Sequence, residues 1–253
     1  MRVAVAGGTG LTGRWVVETL TAAGHDPVVL ARSAGVDLMT GRGLADALNG
    51  VEAVIDVTNV VTTSRRTSRA FFDTAGRTLL DAGRRAGVTH HVALSIVGVD
   101  RVDFGYYEGK RRQEELVAAS PVPWSVLRAT QFHEFTAQTL DRVPGPVAIV
   151  PQMISQPIAV REVAQALVHM VSGPPVGMAP ELAGPRVETL ADQARRYLSA
   201  IGRRRWVLPI RLPMAGGAAM SEGALLPESP GPRGIQTFDE WLAEQSDAER
   251  ARV

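Results

Sequence analysis

Two side chains within one short stretch of the chain could together move a proton. The sequence holds 27 lysine and arginine residues, and Lys110 is the only lysine among them. Tyr106 lies four positions earlier, about one helical turn away, so we expect both side chains on one helix face. A nearby ammonium lowers the pKa of a phenol toward neutrality. Tyr106 and Lys110 are therefore predicted as a proton-transfer pair, in which a guanidinium could not replace the compact, rotating ammonium.

A third polar residue, Ser95, stands near the end of the strand predicted over His91 to Val97. The helix predicted over Tyr107 to Ala119 follows that strand, so Ser95 could face Tyr106 and orient a substrate oxygen. Ser95, Tyr106 and Lys110 are the predicted catalytic residues. An alternative stays open, in which Tyr106 only covers apolar side chains and Lys110 only binds sugar hydroxyls.

Three glycines at the start of the chain predict a site for a dinucleotide. Gly7, Gly10 and Gly13 come directly after the strand predicted over Val3 to Ala6, and they open the helix predicted over Thr12 to Ala23. This spacing allows a tight turn, a close approach of backbone to a pyrophosphate, and close packing of helix on strand, with the helix N-terminus facing the phosphates. The predicted cofactor contacts are Gly7, Thr9, Gly10, Leu11, Thr12, Gly13, Thr58, Asn59 and Lys110.

The residues after the second predicted strand indicate which dinucleotide binds. NAD sites place a carboxylate there for the adenosine 2′-hydroxyl. This chain has Arg32 and Ser33 instead, and a guanidinium can pair with a 2′-phosphate while a hydroxyl donates beside it. Arg32 and Ser33 therefore predict NADP(H), although Arg32 could also be an ordinary surface arginine.

Strand-like and helix-like segments alternate over the first 130 residues, as in βαβ units on a parallel sheet. We expect an α/β fold, a Rossmann-like doubly wound parallel sheet of five or six strand–helix repeats, with a short extended piece at Val36 to Leu38 as its third strand. Residues 1–150 would form the NADP-binding core. Residues 151–253, richer in proline and glycine, would form a small C-terminal substrate-binding subdomain with helices at Arg161 to Val171, at Leu190 to Ile201 and from Phe238, and a strand at Trp206 to Ile210.

Composition excludes several other classes of protein. The formal net charge is +1, which disfavours nucleic acid as a partner, and there is no cysteine for disulfides, zinc–thiolate sites or a thiol nucleophile. His90 and His91 lack a carboxylate at metal-ligand spacing, so we expect no metal site. No signal peptide or membrane span is recognisable, which predicts a cytoplasmic protein without a membrane partner.

Taken together, these motifs resemble the NmrA-like, atypical branch of the short-chain dehydrogenase/reductases. The likeness covers the glycine motif, Arg32, the end of the strand at Ser95 and the helix with Tyr106 and Lys110, and it continues through the segment Leu127 to Phe135 to the final helix. It implies a Rossmann fold, NADP(H) binding and reduction of a small organic molecule. Gln131, Phe132 and His133 would then lie near the substrate, with a packing role for His133 as the alternative.

The predicted function is therefore NADPH-dependent reduction of a small, largely apolar carbonyl, quinone, imine or conjugated double bond by hydride transfer. Two departures from the main branch of the superfamily favour a second hypothesis, a non-catalytic NADP-binding redox sensor. The interval from Ser95 to Tyr106 is short, and no additional asparagine of a proton relay is recognisable. The oligomeric state is open, with a homodimer as one option.

Overall fold

The computed structural model describes residues 1–250, which alternate between strands and helices along most of their length. The strands are β1 (Arg2–Ala6), β2 (Asp26–Leu30), β3 (Ala53–Asp56), β4 (His90–Ile96), β5 (Trp124–Ala129), β6 (Val147–Pro151), β7 (Ile154–Ser155), β8 (Gly177–Met178), β9 (Glu188–Thr189) and β10 (Trp206–Ile210). The helices are α1 (Leu11–Ala22), α2 (Leu44–Ala47), α3 (Arg65–Ala86), α4 (Gly105–Ala118), α5 (Glu134–Asp141), α6 (Val160–Val171), α7 (Leu190–Ala200), α8 (Gly217–Ser221) and α9 (Phe238–Arg250). A 3₁₀ turn, Arg32–Ala34, follows β2.

Six parallel strands form the central sheet in the order β2-β1-β3-β4-β5-β8. The chain moves from β1 outward to β2 and then returns across β1 to β3, so the strand order reverses at β1. Ligands of open α/β sheets bind at the carboxyl end of the strands next to such a reversal. The predicted doubly wound, Rossmann-like sheet is therefore confirmed, and its reversal lies directly before the glycine motif.

Apolar side chains on both faces of β1 explain why this strand lies inside the molecule. Val3 and Val5 pack with α1 and α6 on one face. Ala4 and Ala6 pack with α2 and α3 on the other face. A strand covered on both faces carries a continuous apolar run instead of an alternation of apolar and polar residues. Residues Val3 to Ala6 form such a run.

Helices α3 and α4 pack unusually closely on one another at Gly109. A Cβ atom at this position would overlap Ser68 Oγ and would stand 2.5 Å from Cδ2 of Phe72, so only glycine fits without movement. Ser68 Oγ donates to the backbone carbonyl of Tyr106, 2.7 Å away, at the same crossing. This contact fixes the height of Tyr106 and Lys110 relative to the sheet.

The C-terminal half contains two small sheets, a parallel pair of β6 with β10 and an antiparallel pair of β7 with β9. Ala148 and Val150 of β6 are buried with apolar residues of α7 and α8 in a second core. Helix α6 packs on α1, however, and β8 extends the central sheet. The division into 1–150 and 151–253 stays a proposal, in which α6 and β8 lie in the second stretch but pack with the central sheet.

The expectation of a strand at Val36 to Leu38 was wrong. Only an isolated bridge between Asp37 and Arg42 occurs there. Asp37 Oδ1 accepts the backbone N–H of Met39, and glycines with positive φ at positions 35, 41 and 43 turn the chain repeatedly. The sequence interpretation also missed α5 and β6, whereas the predicted C-terminal helices and the strand at Trp206–Ile210 are present.

None of the helices within residues 1–250 is long and apolar enough to cross a lipid bilayer. The same residues contain no group of three histidine and acidic side chains placed to hold a metal ion.

Candidate functional site

The N-terminus of α1 offers backbone N–H groups at the carboxyl end of β1. Gly10 is the N-cap residue of α1 and has no side chain that could cap the helix. The first turn of the helix holds no acidic residue. A Cβ at Gly13 would overlap the carbonyl oxygen of Gly7, so the helix can lie this close to the turn only with glycine there. Uncapped N–H groups and the positive end of the helix dipole suit a pyrophosphate. This cradle therefore fits the phosphates of a dinucleotide.

The loop after β3 lies directly against the glycine turn. A Cβ at Gly7 would stand 3.2 Å from Cα of Thr58, and Gly7 has a φ of +80° that favours glycine. Thr58 is buried, and its backbone N–H donates to Asp56 Oδ1 over 2.9 Å. The predicted cofactor residue Thr58 is thereby placed beside the cradle, and Asn59 follows it in the chain.

Arg32 begins the 3₁₀ turn that follows β2, and Gly7 donates its N–H to the carbonyl of Leu30 at the end of that strand over 3.1 Å. Arg32 and Ser33 are both exposed. Within the described part of the chain, the guanidinium of Arg32 makes no ion pair and no side-chain hydrogen bond, so it is free to meet an anion. Asp37, the nearest carboxylate downstream, is instead bonded to the backbone of its own loop.

Lys110 is a residue of α4 and is only 4% exposed. Its side chain lies against β4 and α3. Its Nζ donates to the carbonyl oxygen of Leu94 over 2.6 Å and also to Oε1 of Gln113. The ammonium stands 4.9 Å from the centre of the Phe72 ring. Burial lowers the pKa of Lys110 to about 8, while the negative charge of Asp56 acts in the opposite direction. The chain's single lysine thus carries its charge inside the protein, at the carboxyl end of β4.

Tyr106 does not bond Lys110. Its hydroxyl donates to Asn59 Oδ1, 2.7 Å away in the loop after β3. Burial raises the pKa of Tyr106, and the neighbouring Tyr107 raises it further. This direction is opposite to the lowering that the sequence predicted, because burial dominates. The lysine ammonium is bonded to Leu94 and Gln113 instead of to Tyr106.

Ser95 lies near the end of β4, and its Oγ is buried without a hydrogen-bond partner among residues 1–250. A buried hydroxyl without a partner loses its hydrogen bonds to water at a cost of about 1–3 kcal/mol. Ser95, Tyr106 and Lys110 therefore share one end of the sheet and the adjoining helix, yet they form no mutual hydrogen bonds in this structure. Their catalytic roles stay a prediction.

The residues after β5 divide into two groups. Gln131 and Phe132 are half-buried, and both pair through their backbones with Ile158. His133 is completely buried, with its ring 5.6 Å from that of Phe238 and 5.9 Å from that of Trp241. Burial also lowers the pKa of His133, so the neutral ring is favoured. The contacts of His133 are those of the packing alternative, since α9 covers it.

Sequence reasoning missed two polar residues that contact this site, Asp56 and Gln113. Asp56 is the only charged residue in the apolar run of β3, and Gln113 follows Lys110 by three positions on the buried stripe of α4. A polar residue within an apolar stripe was the available signal. Their partners could not be recognised from the sequence, because 57 residues separate them.

Comparison with known proteins identifies the family of this chain. The model of a protein family described as NAD(P)H-binding matches residues 31–174, which is more than half of the chain. The chain belongs to this NAD(P)H-binding family. No curated protein sequence matches it.

Solved structures with this fold have very different sequences. An NADPH-dependent quinone oxidoreductase of Escherichia coli, QOR2, in complex with NADPH is 20% identical, with a TM-score of 0.74 over 96% of this chain and 99% of that one. A short-chain dehydrogenase/reductase superfamily protein of Agrobacterium tumefaciens with bound NAD is 19% identical, with a TM-score of 0.73 over 100% and 98% of the two chains. MoeE5 in complex with UDP-glucuronic acid and NAD is 17% identical, with a TM-score of 0.78 over the full length of both.

At such low identity these likenesses establish the fold. They confirm the Rossmann-like architecture that the sequence motifs predicted. The solved structures bind either NADPH or NAD, so the choice of cofactor has to come from this chain's own residues.

Proposed function

We propose that this protein is an NADPH-dependent reductase of a small, largely apolar organic molecule. The family match supports a nicotinamide dinucleotide as cofactor, and the fold supports the predicted oxidoreductase class. The observation that carries the reductase proposal is the single lysine, buried with its ammonium at the carboxyl end of β4, beside Ser95 and one helical turn from Tyr106.

The proposed preference for NADPH depends on Arg32 and Ser33. Arg32 is exposed and unpaired among the described residues, and it lies two positions after the end of the second strand, where NAD sites carry a carboxylate. A guanidinium beside a 2′-phosphate forms charge-assisted hydrogen bonds. The N-terminus of α1 would hold the pyrophosphate, with Thr58 and Asn59 beside it.

The bound cofactor supplies a hydride to the substrate. Ser95 Oγ, which is buried and has no hydrogen-bond partner among the described residues, would donate to a substrate oxygen that reaches it. Tyr106 has a raised pKa and therefore remains protonated at neutral pH, so it can give its proton to the reduced substrate. Lys110 would bond the ribose hydroxyls through the rotating N–H groups of its ammonium.

The surroundings of Tyr106 favour an apolar substrate. Its ring packs in the same apolar core as Ile96 and Phe104, close to residues of β6, α7 and α8. Gly98 lies against the carbonyl of Ala224, so the C-terminal segment covers the loop after β4. Such a wall excludes water and offers few hydrogen bonds, as expected for a quinone, ketone, enone or imine with little polar surface.

The test is oxidation of NADPH by the purified protein with a panel of quinones, ketones, enones and imines, followed by absorbance. We expect NADPH oxidation with at least one of these classes. Tight binding of NADPH without oxidation by any of them would contradict the reductase proposal.

One observation favours the second candidate, an NADP-binding redox sensor. Tyr106 is bonded to Asn59 and Lys110 to Leu94 and Gln113, so the catalytic groups are not joined to one another. A sensor needs the cofactor site but not the proton donor. Selective binding of NADPH over NADP⁺ without turnover would support this candidate.

A further inference from the structure

A continuous chain of buried hydrogen bonds runs from Lys110 to the backbone beside the phosphate cradle. Lys110 Nζ donates to Oε1 of Gln113, and Nε2 of Gln113 donates to Asp56 Oδ2 over 2.7 Å. Asp56 Oδ1 accepts the backbone N–H of Thr58. All three side chains are at most 4% exposed.

The chemistry of the donors and acceptors allows only one direction of donation along this series of hydrogen bonds. A lysine ammonium only donates and a carboxylate only accepts, so Gln113 must direct its oxygen to Lys110 and its amide nitrogen to Asp56. Neither a glutamate nor a leucine at position 113 could serve both neighbours. The glutamine amide is therefore the element that connects the cation to the anion.

The charges facing Lys110 come from several packed elements. β3 contributes Asp56, α4 contributes Glu114, and β4 contributes His91, whose ring is buried beside Asp56. Burial lowers the pKa of His91, so this ring favours the neutral state and does not compensate the carboxylate. From α3 the Phe72 ring faces the ammonium. Asp56 is thus the completely buried negative charge that balances Lys110.

The far end of the chain of bonds touches the cofactor cradle. Thr58, whose N–H is held by Asp56, lies against the glycine turn, since a Cβ at Gly7 would stand 3.2 Å from Cα of Thr58 and 3.0 Å from the carbonyl oxygen of Val57. The same carboxylate therefore orients the loop beside the pyrophosphate site and, through Gln113, the lysine. A buried charge without its partner costs several kcal/mol, so Asp56 and Lys110 depend on each other.

We propose that Asp56 and Gln113 are positioning residues, which together hold the ammonium of Lys110 charged and directed toward the cofactor. This inference rests on the proposed role of Lys110 in holding the cofactor. It assigns a function to two residues that do not themselves contact the cofactor, and it makes the state of the lysine depend on a carboxylate in a different strand.

The single lysine allows a direct test. Protein labelled with [¹³Cε]lysine gives one lysine side-chain resonance, and its pH titration reports the pKa of Lys110 without any need for activity. The wild type should titrate near the pKa of about 8. Asp56→Asn removes the opposite charge while keeping the shape, so we expect the pKa of Lys110 to fall by about one unit or more. Gln113→Leu should lower it too, by a smaller amount.

Gln193→Leu is the matched control. Gln193 is also a buried glutamine, 2% exposed, whose Oε1 accepts from Thr136, but it lies on α7. Any general effect of replacing a buried glutamine should appear in this variant, and we expect the titration of Lys110 to be unchanged there. Gln113→Met provides a second, more flexible replacement if Gln113→Leu does not fold.

The second measurement is the Kd for NADPH as a function of pH. The ammonium is lost as pH rises through the pKa of Lys110, so wild-type binding should weaken above pH of about 8. In Asp56→Asn the weakening should begin about one pH unit lower, with about tenfold weaker binding once the lysine is neutral. A purely structural role would lower stability without moving this pH dependence.

The outcomes separate this inference from the proposed function. A Lys110 titration that does not move relative to the Gln193→Leu control, in either Asp56→Asn or both Gln113 variants, overturns the inference whatever the activity. Absence of NADPH binding in the wild type at every pH would contradict the proposed function, while the titration would still decide whether Asp56 and Gln113 control the lysine.

Discussion

The polar groups at the two ends of the candidate cofactor site differ in whether they already have hydrogen-bond partners within the protein. At the adenosine end, the N-terminus of α1 has no side-chain cap, and Arg32 is exposed without a partner among the described residues. At the opposite end, Lys110 is buried and Tyr106 is half-buried, and each side chain already forms a hydrogen bond with protein atoms.

This difference indicates how free energy would be divided between binding and chemistry. Free donors at the adenosine end gain new hydrogen bonds when an anion binds, so they contribute affinity and cofactor selectivity. Groups that already have partners gain little from an additional one, but their position and charge are set in advance. We therefore expect substitutions at the adenosine end to change binding, and substitutions at the opposite end to change turnover.

The largest effect is expected from Tyr106→Phe. If Tyr106 supplies the proton, turnover should fall by about 10²- to 10⁴-fold with nearly unchanged Kd for NADPH. Because burial raises the pKa of Tyr106, the acid stays protonated as pH rises, and a loss of activity above pH of about 8 would come from Lys110. Tyr107→Phe, which alters the adjacent buried ring, is the comparison. Full activity in Tyr106→Phe would assign the proton to water or to Tyr107.

Lys110→Arg should reduce turnover by about 10²-fold and weaken NADPH binding only modestly. A planar guanidinium cannot occupy the site between Leu94 and Gln113 with the same donors. Steady-state kinetics and a separate binding titration distinguish the two effects. The reverse exchange on the same helix, Arg112→Lys, is the control and should leave turnover and NADPH binding unchanged. Equal losses of affinity and turnover in Lys110→Arg would make the lysine a binding residue only.

Arg32→Ala should remove most of the preference for NADPH over NADH. A charge-assisted hydrogen bond contributes about 1.5–3 kcal/mol, or roughly one to two orders of magnitude in affinity. The Kd for NADH should stay nearly constant, because NADH has no 2′-phosphate. Arg204→Ala alters another exposed arginine and should leave both constants unchanged. Equal affinity of the wild type for both cofactors would contradict the assignment of Arg32.

Gly13→Ala should destabilise the fold by about 1–3 kcal/mol and weaken binding of either cofactor. The added methyl group overlaps the carbonyl oxygen of Gly7, so α1 must move away from the glycine turn. Thermal denaturation measures the loss. At Gly173 the nearest atom to an added Cβ is 3.7 Å away, so Gly173→Ala is the control and should be nearly neutral. A fully stable Gly13→Ala protein would show that the close contact is not needed.

Much of the central sheet could be predicted because its signals are local. β1, β3 and β4 each contain a short apolar run, and glycines at positions 24 and 87 mark the ends of α1 and α3. The stretch at Val36 to Leu38 has a similar composition but forms turns, since three nearby glycines adopt positive φ and Asp37 bonds its own loop. α5 and β6 were missed because α5 is only eight residues long and β6 directly follows the cluster of Pro144, Gly145 and Pro146.

The sequence by itself determined the glycine cradle, the absence of a carboxylate after β2 and the placement of Tyr106 and Lys110 one turn apart on one helix. Each of these depends on residues that are neighbours along the chain or within one helical turn. Only the tertiary structure decided which groups each side chain meets. Tyr106 bonds Asn59, Lys110 reaches Asp56 through Gln113, and α9 covers His133. Tyr106 and Asn59 are 47 residues apart along the chain, Gln113 and Asp56 are 57 apart, and His133 and Gln236 are more than 100 apart. Such contacts form only when the sheet and its helices pack.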